Sequence, residues 1–345
     1  MLATNVKSSV LYQKSLGCLL GGLIGDAVGT PAEGKDYRVL GEKFGWIDDF
    51  TSDGTDDTVM KNLLAEALIR TDGYATLDEW GATWLDHWEA IFGPKINKFF
   101  VSVIHTAHKM RRYAVPRMAA LGNMPSSSSA MCISPVGIVN AGNPRQAALQ
   151  TYTLAPLIHQ HDVGFCQDGA VAMAAAVAEA CKADATVESI LDAAIAYIMK
   201  LSGREMLDAI ARAVSLARET ADYKQFRAAV YEQSDRFFCA ITCDSRETVP
   251  LTLALFHLAQ GDVEKCITYG ANFGRDADTI ASMCGAIGGA LQGVSAIKPE
   301  WVAKVNQYTS QNQEDLASRL VETALKKLGS ERAAQGALER ILTET

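Results

Sequence analysis

Residues 17–33 read GCLLGGLIGDAVGTPAE, with glycine at 17, 21, 25 and 29. A four-residue repeat is helical, and glycines at that spacing leave one face of the helix bare of side chains. Each glycine inside a helix costs about 0.5–1 kcal/mol relative to alanine, so such a stripe needs a packing reason. A second group, Gly285, Gly288, Gly289 and Gly293, lies in a late apolar segment. The two stripes can face each other, which would join the early and late parts of the chain. A lipid setting does not suit them. The apolar run Leu19–Val28 is too short to span a bilayer and carries Asp26. An aspartate in such a helix is expected to be buried and hydrogen-bonded.

Outward from this stretch, helical patterns dominate. Residues 55–70, 165–183, 185–200, 203–218, 247–260, 276–292 and 312–342 show apolar positions at three- and four-residue spacing or alanine-rich helix-forming composition. Residues 136–140, VGIVN, are the best strand candidate and could equally begin a helix. The fold class expected is all-α, compact and multi-helical. No polar linker divides the chain, so a single domain over 1–345 is expected, with a core at about 13–310 and C-terminal helices at about 312–342. Residues 113–135 hold three prolines and four consecutive serines, and read as a loop crossing the surface.

Composition excludes several function classes. The 345 residues carry a formal net charge of -8 and no basic run. Nucleic-acid binding through a basic patch and attachment to an anionic membrane are therefore not expected. The eight cysteines form no C-x-x-C pair and fit no zinc spacing. They read as reduced, buried thiols, which with the absence of a signal-like N-terminus suggests a cytoplasmic protein.

Two acidic clusters stand out: Asp53-Gly54-Thr55-Asp56-Asp57-Thr58 and Gly274-Arg275-Asp276-Ala277-Asp278-Thr279. Each precedes an apolar helix, where Asp or Thr can cap free N–H groups. Capping uses one such residue per helix, and adjacent aspartates repel. The surplus points to a divalent cation, since carboxylate and hydroxyl oxygens are hard ligands for Mg²⁺, Mn²⁺ or Ca²⁺. A third element, Gly25 to Glu33, ends in a Gly/Pro turn that presents Glu33.

Together GCLLGGLIGDAVGTPAE, SDGTDDT and NFGRDADTIASMCGAIGGALQG resemble the signature segments of the ADP-ribosylglycohydrolase family, in the family's order and across most of the chain. The resemblance implies an all-α domain with two Mg²⁺ (or Mn²⁺) ions in a central cleft. It places metal ligands at Thr55, Asp56, Asp57, Asp276, Asp278 and Thr279. Glu33 falls on the acidic residue of a mobile loop over the site. Ser126 to Gly137 resembles the phosphate-contacting loop, with Ser127 and Ser129 as its candidates. His161, or alternatively His159, matches the histidine near the distal ribose. Three positions depart from the family pattern: Arg275 stands where glycine is usual, Cys132 where arginine is, and Gln160 where threonine is.

The expected reaction is metal-dependent hydrolysis at ribose C1 of an ADP-ribosylated protein side chain or small acceptor, releasing ADP-ribose. Glu33 would position substrate or move a proton, with Asp56 and Asp276 as rivals for activating water. Arg275 could reach a substrate phosphate or carboxylate, or pair with an aspartate behind the metal ligands that organises the cluster. His87, His105, His108 and His257 read as structural or surface residues. Two alternatives stand beside this reading: a nucleoside-type N-ribosidase on the same scaffold, and a binding or structural protein without turnover. The chain is expected to be a monomer.

Overall fold

The computed structural model describes residues 5–112, 115–309 and 311–343. Its main helices are α1 (Val10–Gly29), α2 (Asp56–Arg70), α3 (Phe165–Ala180), α4 (Ser245–Leu258), α5 (Val263–Ala271), α6 (Ala277–Gln292) and α7 (Gln313–Thr343). Among the described residues the sole sheet is a two-stranded antiparallel bridge, β1 (Lys35–Asp36) with β2 (Gly274–Arg275). The chain is thus all-α, and helix limits lie within a few residues of those read from periodicity. Residues 136–140 belong mostly to a short helix, Ser134–Val139.

The glycine stripe of α1 does find the late helix. A Cβ at Gly17, Gly21, Gly25 or Gly29 would come under 3.0 Å from the backbone of Gly289, Gly285, Ala281 or Asp278 respectively. The bare face of α1 meets backbone along the whole contact, glycine against glycine at Gly17 and Gly21. Of the late stripe read in the sequence, Gly285, Gly289 and Gly293 meet α1, whereas Gly288 faces Val263 and Cys266 of α5. Ala281 and Asp278 extend the contact toward the start of α6, because a straight helix keeps one face at i, i+4 and i+3 steps.

Buried cations seal this pair. The Lys14 ammonium donates to the carbonyls of Ala180 (2.8 Å), Ala290 (3.2 Å) and Leu291 (2.7 Å), at the C-terminal ends of α3 and α6. Free carbonyls at a helix C-terminus favour a positive charge. Lys61 on α2 donates to the Leu19 carbonyl at 2.9 Å. Burial pushes its ammonium down to about 8. The helix α3, apolar on nearly all sides from Gly169 to Ala178, is buried on nearly every side, as such a helix should be.

Residues 126–129 overturn the expectation of a surface loop. All four serines are buried. The hydroxyls of Ser126, Ser128 and Ser129 bond to one another, Ser102 and His159, and that of Ser127 donates to Asp276, which removes the usual penalty on buried polar groups. Tyr113 and Ala114, at the start of that stretch, lie outside the described residues. All eight cysteines are free; Cys239 and Cys243 are half-buried and the rest are buried. No helix among the described residues is long and apolar enough to cross a membrane.

Candidate active site

Asp26, near the end of α1, organises the first acidic cluster. Its buried carboxylate accepts from Thr55 N (2.8 Å), Thr55 Oγ1 (2.9 Å), Thr58 N (3.1 Å) and Thr58 Oγ1 (2.6 Å). Gly54 permits this approach. Its φ is +81°, and a Cβ there would run into the Asp26 carboxylate. The turn that results starts α2, with Thr55 as its N-cap accepting from Asp57 N.

The second cluster starts α6. Asp276 occupies the N-cap position but makes no side-chain capping bond. Its Oδ2 accepts instead from Ser127 Oγ at 3.3 Å. Thr279 Oγ1 donates to Asp57 Oδ2 at 3.2 Å, which ties the two clusters together. Asp56 Oδ2 accepts from the Phe100 amide at 3.4 Å. Capping therefore accounts for Thr55 and leaves Asp56, Asp57, Asp276 and Asp278 unexplained.

These four aspartates line one cleft of about 230 Å³, with Glu33, Lys98, Phe99, Phe100, Ser127 and the wall Ile241–Cys243. All four are buried. Burial, then the charge of Asp26, pushes Asp56 up to about 8. Burial, then Glu33 and Glu247, pushes Asp276 up to about 7. Asp57 and Asp278 are held well above the usual carboxylate range by burial and by their acidic neighbours. Asp57 Oδ1 and Asp278 Oδ1 are buried with no hydrogen-bond partner. Unpaired buried carboxylate oxygens are costly unless a proton or a cation meets them. The donor set of carboxylates and threonine hydroxyls suits a hard divalent ion. No three acidic, thiol or imidazole groups among the described residues already surround one point. A magnesium ion asks for less, since it commonly takes one or two carboxylates and keeps several waters.

The remaining sequence-derived residues are distributed as follows. Glu33 stands at the rim, part-exposed, 3.4 Å from Lys98 Nζ. Thr55 sits behind the cleft, bonded to Asp26. Ser127 lines the cleft, whereas Ser129 points away to His159 Nδ1 at 2.8 Å and to the Cys166 carbonyl. His161 is exposed and does not line it, with a φ of +55°. The alternative, His159, is fully buried between Ser126 and Ser129, and burial pushes it down to about 3. The Arg275 guanidinium turns away from the cleft, donating from Nε to Glu247 Oε1 at 2.7 Å and through Nη2 to Oε2 at 2.8 Å.

Sequence reasoning missed Glu247, the Phe99–Phe100 wall and the Ile241–Cys243 wall. Glu247 opens α4, where an acid reads as an ordinary partner of the helix dipole. No local signal distinguishes it.

An all-helical frame that brings four buried aspartates into one cleft from two helix starts defines a class of acid-rich enzyme sites. The chain belongs to the ADP-ribosylglycohydrolase family, whose sequence profile matches residues 7–329. Members are hydrolases that cleave glycosidic bonds, and this chain is an enzyme of that kind. It is similar to the uncharacterized protein YegU of Escherichia coli (strain K12), 29% identical over 345 residues, with 93% of this chain and 99% of YegU covered. It is also similar to ADP-ribosylhydrolase ARH3 of Bos taurus, 22% identical over 85% of this chain and 88% of that protein. Among solved structures, an ADP-ribosylglycohydrolase-related protein complex shares the fold, with a TM-score of 0.66, 18% identity and coverage of 91% of this chain and 99% of that one.

Proposed function

We propose that this enzyme is a divalent-metal-dependent hydrolase that cleaves the bond at ribose C1 of an ADP-ribosylated protein side chain or small acceptor and releases ADP-ribose. The observation that carries the metal reading is the pair of buried, unpartnered oxygens, Asp57 Oδ1 and Asp278 Oδ1, among four converging aspartates. Two Mg²⁺ ions, or Mn²⁺, would be held by Thr55, Asp56, Asp57, Asp276, Asp278 and Thr279. Bound there, they supply Lewis acidity toward the ribose hydroxyls and make bound water more acidic.

The chain's own residues do the rest. Ser127, whose hydroxyl proton goes to Asp276, presents its oxygen lone pairs to a substrate hydroxyl in the cleft. Glu33 at the rim can carry a proton to or from the leaving group, and its partner Lys98 orients it. Asp56 and Asp276, both in the cleft lining, are the carboxylates available to orient an attacking water. Phe99, Phe100 and Met131 exclude bulk water from one side.

One observation favours a second reading, a ribosidase acting on a substrate without a diphosphate. Lys98 is the one cation among the cleft's described lining residues, and it is paired with Glu33. Arg275, Ser129 and His161 point elsewhere. A panel of substrates separates the two readings: ADP-ribosyl-arginine, ADP-ribosyl-serine and plain nucleosides, each with Mg²⁺ and with chelator. The first reading expects ADP-ribose from at least one ADP-ribosyl substrate, only with metal. Release of base from nucleosides with no ADP-ribosyl turnover would reverse the ranking.

A further inference from the structure

We propose that Arg275 and Glu247 form a positioning pair that fixes the left-handed turn before Asp276 and locks three walls of the acidic cleft to one another. The proposal rests on reading that cleft as the active site.

Arg275 is conformationally unusual. Its φ is +59°, directly after Gly274 at +84°. A residue with a Cβ resists this region. Something must therefore over-determine it. The side chain supplies that restraint. Its fork grips both oxygens of Glu247 and donates to the Cys239 carbonyl at 2.9 Å. Its guanidinium lies 4.3 Å from the centre of the Phe238 ring. Glu247 is fully buried, and its Oε2 also accepts from the Cys239 amide at 2.7 Å. A planar fork matched to a carboxylate fixes direction as well as distance.

Each attachment leads to a different wall. Asp276 follows Arg275 in the chain. The Arg275 carbonyl accepts from Gly34 N at 2.7 Å, and β2 pairs with β1, so the loop carrying Glu33 is docked on the same residue. Phe238 and Cys239 lead into Ile241–Cys243, another stretch of the cleft lining. Arg275 itself does not line the cleft. Its influence runs through backbone that it holds still, and groups that orient metal-binding carboxylates are commonly worth about 10–100-fold in metal affinity or activity.

A buried ion pair can also be energetically neutral, so thermal stability alone does not decide the matter. The test uses Arg275→Ala, Arg275→Gly and Glu247→Gln in the full chain, with folding checked by circular dichroism. If Glu247→Gln does not fold, the two Arg275 variants carry the test. The first measurement is amide hydrogen exchange without metal. Arg275→Ala is expected to speed exchange in 30–36 and 239–243 together, leaving 187–196 unchanged. Unchanged exchange in both of those segments overturns the proposal. The second measurement is Mn²⁺ titration. Arg275→Ala should bind about 10–100-fold more weakly than the parent, and Arg275→Gly, free of the φ penalty, should recover part of that loss. Equal Mn²⁺ affinity across parent and variants also overturns it. A parent that binds no Mn²⁺ would count against the metal reading alone, because exchange still decides the coupling.

Discussion

Asp26 shows how a single residue outside the cleft lining can define a site. It does not line the cleft, yet both hydroxyls and both amides of Thr55 and Thr58 end on its carboxylate. Those bonds shape the turn that aims Asp56 and Asp57. Replacing Asp26 by alanine would orphan buried donors, each worth about 1–3 kcal/mol. We expect Asp26→Ala to lose at least about 2 kcal/mol in urea unfolding and to weaken Mn²⁺ binding; unchanged affinity would show that the turn holds without it. At this scale the sequence was informative where chemistry is concentrated in neighbours. The Thr-Asp-Asp and Asp-x-Asp-Thr runs are visible because their residues are adjacent. Glu247 and the serine–histidine network of Ser126, Ser129 and His159 were not, because each partner is ordinary in its own segment and meaningful only across the fold.

Elements are held here by the absence of side chains as much as by their presence. The contact between α1 and α6 is so close that the smallest side chain does not fit. Gly21→Ala would press a methyl group onto the Gly285 carbonyl. Overpacking of this kind costs about 1–3 kcal/mol, against a gain of about 0.5–1 kcal/mol from better helix propensity. Net destabilisation is expected. Gly41, in the helix Tyr37–Phe44, is the matched control, because a Cβ there meets nothing within 4 Å. Gly41→Ala should raise stability, and a similar loss at both positions would refute the packing account. The glycine periods announced the stripe on α1 and, in Gly285, Gly289 and Gly293, part of the face it meets. Ala281 and Asp278 complete the contact, and no glycine count could have assigned them.

The whole molecule carries its acidity unevenly. The cleft gathers carboxyl groups that burial and mutual repulsion push up, Asp56 to about 8 and Asp276 to about 7. A carboxyl group raised in the folded state keeps its proton while the unfolded chain ionises. Its contribution to stability is present below the ordinary carboxylate range and is lost as pH rises through the folded value. His159 works in the opposite sense, but only below its ordinary value of 6.5. Between about pH 6.5 and 8 the cleft carboxylates therefore dominate. Chelated protein should lose thermal stability across that window. Excess Mg²⁺ or Mn²⁺ should restore more of it at the upper end, since the ligands must be deprotonated to bind. A melting temperature that is flat with pH, with or without metal, would contradict this.

The joining of α1 to α6 also has a consequence in time. Lys14 and its acceptor at Ala290 are 276 residues apart in the chain. A ribosome adding about 5–20 residues per second takes tens of seconds to cover that distance. Throughout that interval the bare glycine face of α1 has emerged and its docking partner does not yet exist. The frame of the cleft can close only near the end of synthesis, so the nascent chain depends on whatever shields its first helix until then.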